Sequence, residues 1–221
     1  MRVLVACEES QVVCSEFRRL EHESFSCDIL PCSGDNPKWH IQGDVLKVIE
    51  SEHWDLMVAF PPCTHLAVSG ARHFEQKRKD GRQQEGIDFF MKMIKAPIKH
   101  IAVENPVGIM STVYQKPDQC IHPYYFGDEY SKKTCLWLKN LEPLKHYPPG
   151  AQLAIGDEQP SVTHVSEGEF VTFSSGKRMA KWYNEAGGKN GGHLRSKTFP
   201  GIARAIAEQF INQIDNQQKL K

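Results

Sequence analysis

The sequence has no net charge. Lysine and arginine total 27 in 221 residues, and so do aspartate and glutamate. A small protein that held nucleic acid through its overall field would be basic, so any such contact here must use local positive patches. There is no C-x-x-C pair among the seven cysteines, the closest two being Cys27 and Cys32. An odd, sparse set excludes a disulfide scaffold and a zinc ribbon, and predicts reduced thiols in a cytoplasmic protein. H-x-x-H and H-E-x-x-H are also missing, so no metal site is expected. No apolar run approaches a membrane span. The stretch after Met1, Arg2-Val3-Leu4-Val5-Ala6, is too short for a secretion signal. There is no internal repeat.

What is present is an alternation of short apolar runs with amphipathic stretches. Val3–Cys7, Phe25–Leu30, Asp55–Phe60 and His100–Asn105 read as buried strands. Helices are expected over Ser10–Leu20, with Ser10 as N-cap, after a capping Asp44, and over Gln83–Lys95. Strands separated by helices predict an α/β fold with a Rossmann-like, doubly wound, mostly parallel sheet and helices on both faces. Thr134–Leu138 adds a further strand. Residues 148–193 are rich in Gly, Pro, Ser and polar residues, which predicts a small loop-rich insert with a hairpin around Glu169–Phe173. A last helix starts near Pro200, and the tail after Asp215 is expected to fray. The whole reads as one domain, 1–221, with 195–215 returning to its core.

In open α/β sheets ligands bind beyond the carboxyl ends of the strands. Four strands end in chemically special residues: Cys7-Glu8-Glu9-Ser10, Asp28, Pro61-Pro62-Cys63-Thr64 and Glu104-Asn105-Pro106. Two prolines after a strand make a stiff turn that fixes the next side chain, here a thiol. A core cysteine behind a strand stop would give the same pattern. A carboxyl at a partly buried strand end can stay protonated and donate a proton, and a capping carboxylate is its plainer alternative.

Together these motifs resemble the cytosine-C5 DNA methyltransferases, in particular short phage-type members. The resemblance implies that Cys63 is the nucleophile and that Glu104, with Asn105, engages the target base. It further implies that Asp28 and Ile29, Gly43 and Asp44, Phe60 and Pro61, and the Cys7-Glu8-Glu9-Ser10 loop bind S-adenosyl-L-methionine. Arg195–Glu208 looks like the family's last motif. The implied partner is DNA, with the target cytosine flipped out of the duplex.

Three departures accompany the resemblance. The first-strand loop, Ala6–Gln11, lacks the glycines of the family's Phe-x-Gly-x-Gly, and Glu8 or Glu9 is the candidate for the cofactor's positive end. The Gln-x-Arg-x-Arg motif is missing, leaving Lys132 or Lys133 as candidate substrate cations beside Pro62 and Thr64. The recognition region is reduced to the insert, where Lys177, Arg178 and Arg195 are the candidate DNA contacts. Lys77–Arg82 forms a second basic run, read by itself as a solvated face, while the resemblance implies a mobile loop that closes over substrate and contacts phosphate; His65 or His73 is expected to tune the thiol. Two other readings stay open: carbon-5 modification of a nucleotide or RNA pyrimidine, and a nucleic-acid-binding protein that has lost catalysis on the same scaffold.

Overall fold

The computed structural model describes residues 1–150, 163–186 and 198–219. Its centre is a seven-stranded sheet. In chain order the strands are β1 (Arg2–Ala6), β2 (Glu23–Asp28), β3 (His40–Gln42), β4 (Leu56–Ala59), β5 (His100–Pro106), β6 (Gln119–Ile121) and β7 (Thr134–Lys139). Across the sheet they run β3-β2-β1-β4-β5-β7-β6. The first five pair in parallel, and β7 alone runs against its neighbours β5 and β6. This is the α/β, Rossmann-like, doubly wound arrangement. The two strands that sequence periodicity missed, β3 and β6, are three-residue edge strands, too short to carry an alternation.

Alternate residues of each central strand feed two cores, because successive side chains point to opposite faces. Val3, Val5, Leu56, Val58, Ala102 and Leu136 face α1 (Val12–Arg19) and the C-terminal helix α7 (Pro200–Lys219). Leu4, Ala6, Met57, Ala59, Ile101 and Val103 face α2 (Val45–Ser51) and α4 (Arg82–Ile94). The short helices α3 (Phe74–Lys79) and α5 (Met110–Val113) lie beside the loops that leave β4 and β5. Trp54 and Trp137 are buried in the second core.

One local expectation is corrected. Ser10 does not cap α1. The N-cap is Gln11, in a left-handed conformation with no side-chain cap of its own. The orphan amides of Val13 and Cys14 instead donate to the buried Glu8 carboxylate, at 2.7 and 3.2 Å. A carboxylate at a helix N-terminus meets both the free N–H groups and the helix dipole. Past Asp215, where fraying is expected, α7 continues to Lys219, the last described residue. Its glutamines hold the loop after β7: Glu142 N donates to Gln213 Oε1, Lys145 N to Gln209 Oε1, and Gln217 Nε2 to Asn140 O. These polar side chains are clasps along one helix face, which composition alone reads as a solvated end.

The insert does contain the expected hairpin, β8 (Phe170–Thr172) with β9 (Arg178–Ala180), followed by α6 (Lys181–Glu185). It is fixed to the main body by Trp182, whose Nε1 donates to Ser131 O at 3.2 Å and whose ring meets Tyr130 and Phe199 edge-on. Among the described residues no helix is long and apolar enough to cross a membrane.

Candidate active site at the sheet rim

Strand order reverses between β1 and β4: from β1 the chain builds outward to β2 and β3, then returns to place β4 and β5 on the other side. The crevice at such a switch point is where an open α/β sheet binds ligands. All the strand-end motifs converge here. Because β7 is antiparallel, its beginning lies on the same rim, with Pro106 opposite Thr134 and Asn105 opposite Cys135.

On the β4–β5 side, Pro61-Pro62 carries the chain off the sheet and Cys63 turns it back, its carbonyl accepting from the amides of Leu66 and Ala67, both at 2.9 Å. The thiol is half-buried. Burial and the nearby Glu104 carboxylate push its pKa up, while Lys132 and then Lys77 pull it down. Glu104 accepts a short hydrogen bond from the Thr134 hydroxyl. Burial raises its carboxyl pKa against the opposing pull of Lys132. A carboxyl so placed favours its protonated, proton-donating form. Phe60, Glu104, Lys132, Thr134, Thr198, Phe199 and Ile202 line one small pocket at this rim.

The Cys63 and Glu104 segments are bound to each other. Asn105 Nδ2 donates to Pro61 O at 2.8 Å, Val68 N donates to Val107 O at 3.0 Å, and Ile109 N donates to Leu66 O at 3.0 Å. Gly108 permits this approach, since a Cβ there would lie 2.4 Å from Leu66 O.

Of the two candidate lysines, Lys132 enters the pocket, with its ammonium 5.7 Å from the centre of the Phe199 ring. Lys133 instead acts electrostatically on His122 and Cys135. The charges that act most on Cys63 are the Glu104 carboxylate and the Lys132 and Lys77 ammonium groups. His65 Nδ1 is buried without a hydrogen-bond partner, and His73 Nε2 accepts from Arg72. Pro62 and Thr64 are exposed beside the thiol. Lys177 and Arg178 lie on the insert hairpin, where the Arg178 guanidinium covers the Phe170 ring at 4.6 Å. Arg195 lies outside the described residues, as do the glycines from Gly187 to Gly192.

On the β1–β2 side, Asp28 and Asp44 flank Cys7, and their charges, after burial, raise its thiol pKa far above the usual range. Asp28 Oδ1 accepts from Leu30 N and Asp44 Oδ1 from Leu46 N. Ile29 is 74% exposed, an apolar side chain standing next to a carboxylate at the crevice mouth. Cys7 and Gln11 both adopt positive φ, 60° and 62°. The glycine-free loop thus takes left-handed turns with ordinary side chains, a conformation that costs about 1–3 kcal/mol per residue and persists only where its surroundings enforce it. The enforcement is visible: Cys7 N donates to Cys27 O at 2.7 Å, and the Gln11 amide makes paired bonds with the Asn36 backbone at 2.8 and 3.0 Å. Glu8 is turned to the helix, whereas Glu9 faces the β2–β3 loop, its Oε1 accepting from Ser33 Oγ. Ser10 is half-buried, and Gly43 N donates to Asp28 O.

Sequence reasoning missed Lys77, Gln83, Gly108 and Thr134. Lys77 is the one buried residue in an otherwise exposed run, and its Nζ donates to Thr64 O at 2.6 Å. The solvated-face reading therefore holds for Arg78 and Lys79 but is corrected for Lys77. The one hint was its spacing of three from Phe74, which shares its helix face.

No protein-family model matches the chain, and no curated protein matches it. Among solved structures, the chain is similar to an E. coli protein provisionally described as a DNA modification methyltransferase encoded within a prophage. The identity is 14% and the TM-score 0.42. The match covers 62% of this chain and 46% of the other, so this chain corresponds to about half of that protein's length.

Proposed function

We propose that this protein is an S-adenosylmethionine-dependent DNA (cytosine-5-)-methyltransferase. The observation that carries the reading is the meeting of a thiol, a raised-pKa carboxyl and an ammonium, Cys63, Glu104 and Lys132, at one rim. C5 of cytosine is a poor nucleophile. Addition of the Cys63 thiolate at C6 forms the C6–S bond and moves the ring's electrons toward N3, leaving C5 nucleophilic. Glu104, favoured in its protonated form, donates to N3 as that charge builds. The Thr134 hydroxyl bond fixes the carboxyl for that role. Lys132 favours the thiolate before addition, and Asn105 holds the Pro61 turn that aims it. Once C5 carries the methyl group, loss of the C5 proton to water re-forms the C5–C6 double bond, the C6–S electrons return to Cys63, and the N3 proton returns to Glu104.

The β1–β2 side fits a nucleoside cofactor. Asp28 offers a carboxylate acceptor for ribose hydroxyls, Ile29 an apolar surface for a flat base, and Asp44 an acceptor beside them. When bound, S-adenosylmethionine supplies the methyl group that C5 takes. Glu9 rather than Glu8 serves its positive end, because both Glu8 oxygens are engaged by α1. A base can meet both Cys63 and Glu104 only outside the stack, which requires a duplex substrate to be flipped.

The test is covalent trapping. With cofactor, the protein should form a stable adduct on duplex DNA containing 5-fluorocytosine, because fluorine at C5 cannot leave as a proton does. Cys63→Ala should abolish it, and an adduct that persisted would assign the wrong nucleophile. Trapping on 5-fluorocytidine RNA and not on DNA would move the substrate to RNA.

A further inference from the structure

The Cys63 loop is held from below by two buried polar side chains that the proposed chemistry does not use. Lys77, on α3, is 8% exposed, and its Nζ donates to Thr64 O at 2.6 Å. Gln83, on α4, is 5% exposed, and its Nε2 donates to His65 O at 3.3 Å. The two carbonyls directly after Cys63 are thus each met by a side chain from the α3–α4 pair. A turn over Val68–His73 closes this slot: a Cβ on Gly70 would lie 3.4 Å from Lys77 Nζ and 3.7 Å from Thr64 O. A buried lysine is costly unless its charge is satisfied, and a neutral hydrogen-bonding residue would suffice merely to pin a carbonyl. Gln83 is such a residue, one carbonyl further on.

We infer that Lys77 is a positioning residue for Cys63: anchored on the Thr64 carbonyl, its ammonium holds the loop in place and sets a fixed positive charge beside the thiol. The inference rests on Cys63 being the reactive thiol, but not on its substrate. The charged groups that act on Cys63 are Glu104 from β5, Lys132 from the segment before β7, and Lys77 from α3, with His65 two residues along the chain. Lys132 lies in the pocket that would receive substrate. Lys77 lies behind the loop, so its charge acts alike in the free and the loaded protein.

The experiment is the pH profile of iodoacetamide alkylation at Cys63 in the intact protein without DNA or cofactor. Peptide mass spectrometry reads Cys63 separately, with the other six cysteines as internal references. Lys77→Met should move the midpoint of the profile to higher pH. It should slow alkylation at neutral pH, because the loss of thiolate outweighs the greater nucleophilicity of what remains. Lys77→Arg should retain the parent profile. Gln83→Leu, which removes a carbonyl clasp but no charge, should leave the midpoint in place. An unchanged midpoint in Lys77→Met overturns the inference, as does an equal shift in Gln83→Leu, which would make loop order the cause. If thermal melting shows that Lys77→Met does not fold, Lys77→Gln is read in its place against the same outcomes. A Lys77-dependent profile in a protein that traps no 5-fluorocytosine DNA would sink the methyltransferase reading and keep this one. DNA trapping with a profile indifferent to Lys77 would do the reverse.

Discussion

The side-chain amide of Asn105 donates to the carbonyl oxygen of Pro61 at 2.8 Å, joining the end of β5 to the turn that presents Cys63. Asn105 is 1% exposed, so this bond is made away from water. Removing it leaves a buried carbonyl without a donor, at about 1–3 kcal/mol. Asn105→Ala should lower the urea midpoint by a corresponding amount and slow 5-fluorocytosine trapping at least tenfold. Asn105→Asp should do worse, since its carboxylate faces the Pro61 carbonyl with no proton to offer. Trapping at the parent rate in a destabilised Asn105→Ala would show that the bond serves the fold alone.

Gly108 is the second point at which the two segments depend on each other. An added methyl must displace Leu66, whose carbonyl oxygen it would meet at 2.4 Å. Forcing the backbones apart costs about 1–3 kcal/mol. It would also break the bond from Ile109 N to Leu66 O that aligns the loops. Gly108→Ala should keep the parent far-UV circular dichroism, lose stability in urea and lose trapping more than tenfold. Parent-like trapping would show that Cys63 and Glu104 need no such alignment.

The contrast between these residues explains what the sequence made legible. Strands β1, β4 and β5 were readable because a central parallel strand is a run of apolar residues bounded by turn formers. Cys63 and Glu104 stood out as candidates because each lies at such a boundary, Cys63 directly after Pro62 and Glu104 two residues before Pro106. Lys77 was not, because its role depends on which way one turn of a short helix faces, and a charge run hides one inward member. Thr134 gains its meaning only from β7 running antiparallel beside β5, a pairing that no local pattern encodes. Glu8 was readable as an acid at a strand end but not as the cap of α1. Its use there follows from the left-handed turns at Cys7 and Gln11 that fold the chain back on itself.

Glu8 should leave a signature in stability. Burial, opposed by its bonds to the α1 amides, raises its pKa from 4.5 to about 7. The native state then holds a proton that the unfolded chain releases, so the contribution is complete below pH 4.5 and is lost as pH rises through 7. Its size is about 3 kcal/mol. Glu8→Gln removes the titration and, by turning an amide toward Cys14 N, adds an offset that does not vary with pH. The melting temperature of the parent relative to Glu8→Gln should therefore fall between pH 4.5 and 7.5, by on the order of 5–10 °C. Parallel curves across that window would show that Glu8 is ionised in the native state.

The insert hairpin provides the test of the DNA contact itself. The turn between β8 and β9 is closed by bonds from Phe173 N to Lys177 O and from Gly176 N to Phe173 O, which gathers Phe173, Lys177 and Arg178 at one tip. All three are exposed, and Arg178 is braced on the Phe170 ring. Two cations beside an exposed aromatic suit phosphate contact with stacking. In a chain with no net charge, such a patch must supply much of the attraction that a basic protein spreads over its whole surface. Lys177→Ala with Arg178→Ala should weaken duplex binding and reduce the slope of log affinity against log salt by about one to two. The rate of trapping at saturating DNA should stay near the parent value, because neither residue lines the Glu104 pocket. An unchanged salt slope would remove the hairpin from the proposed DNA contact.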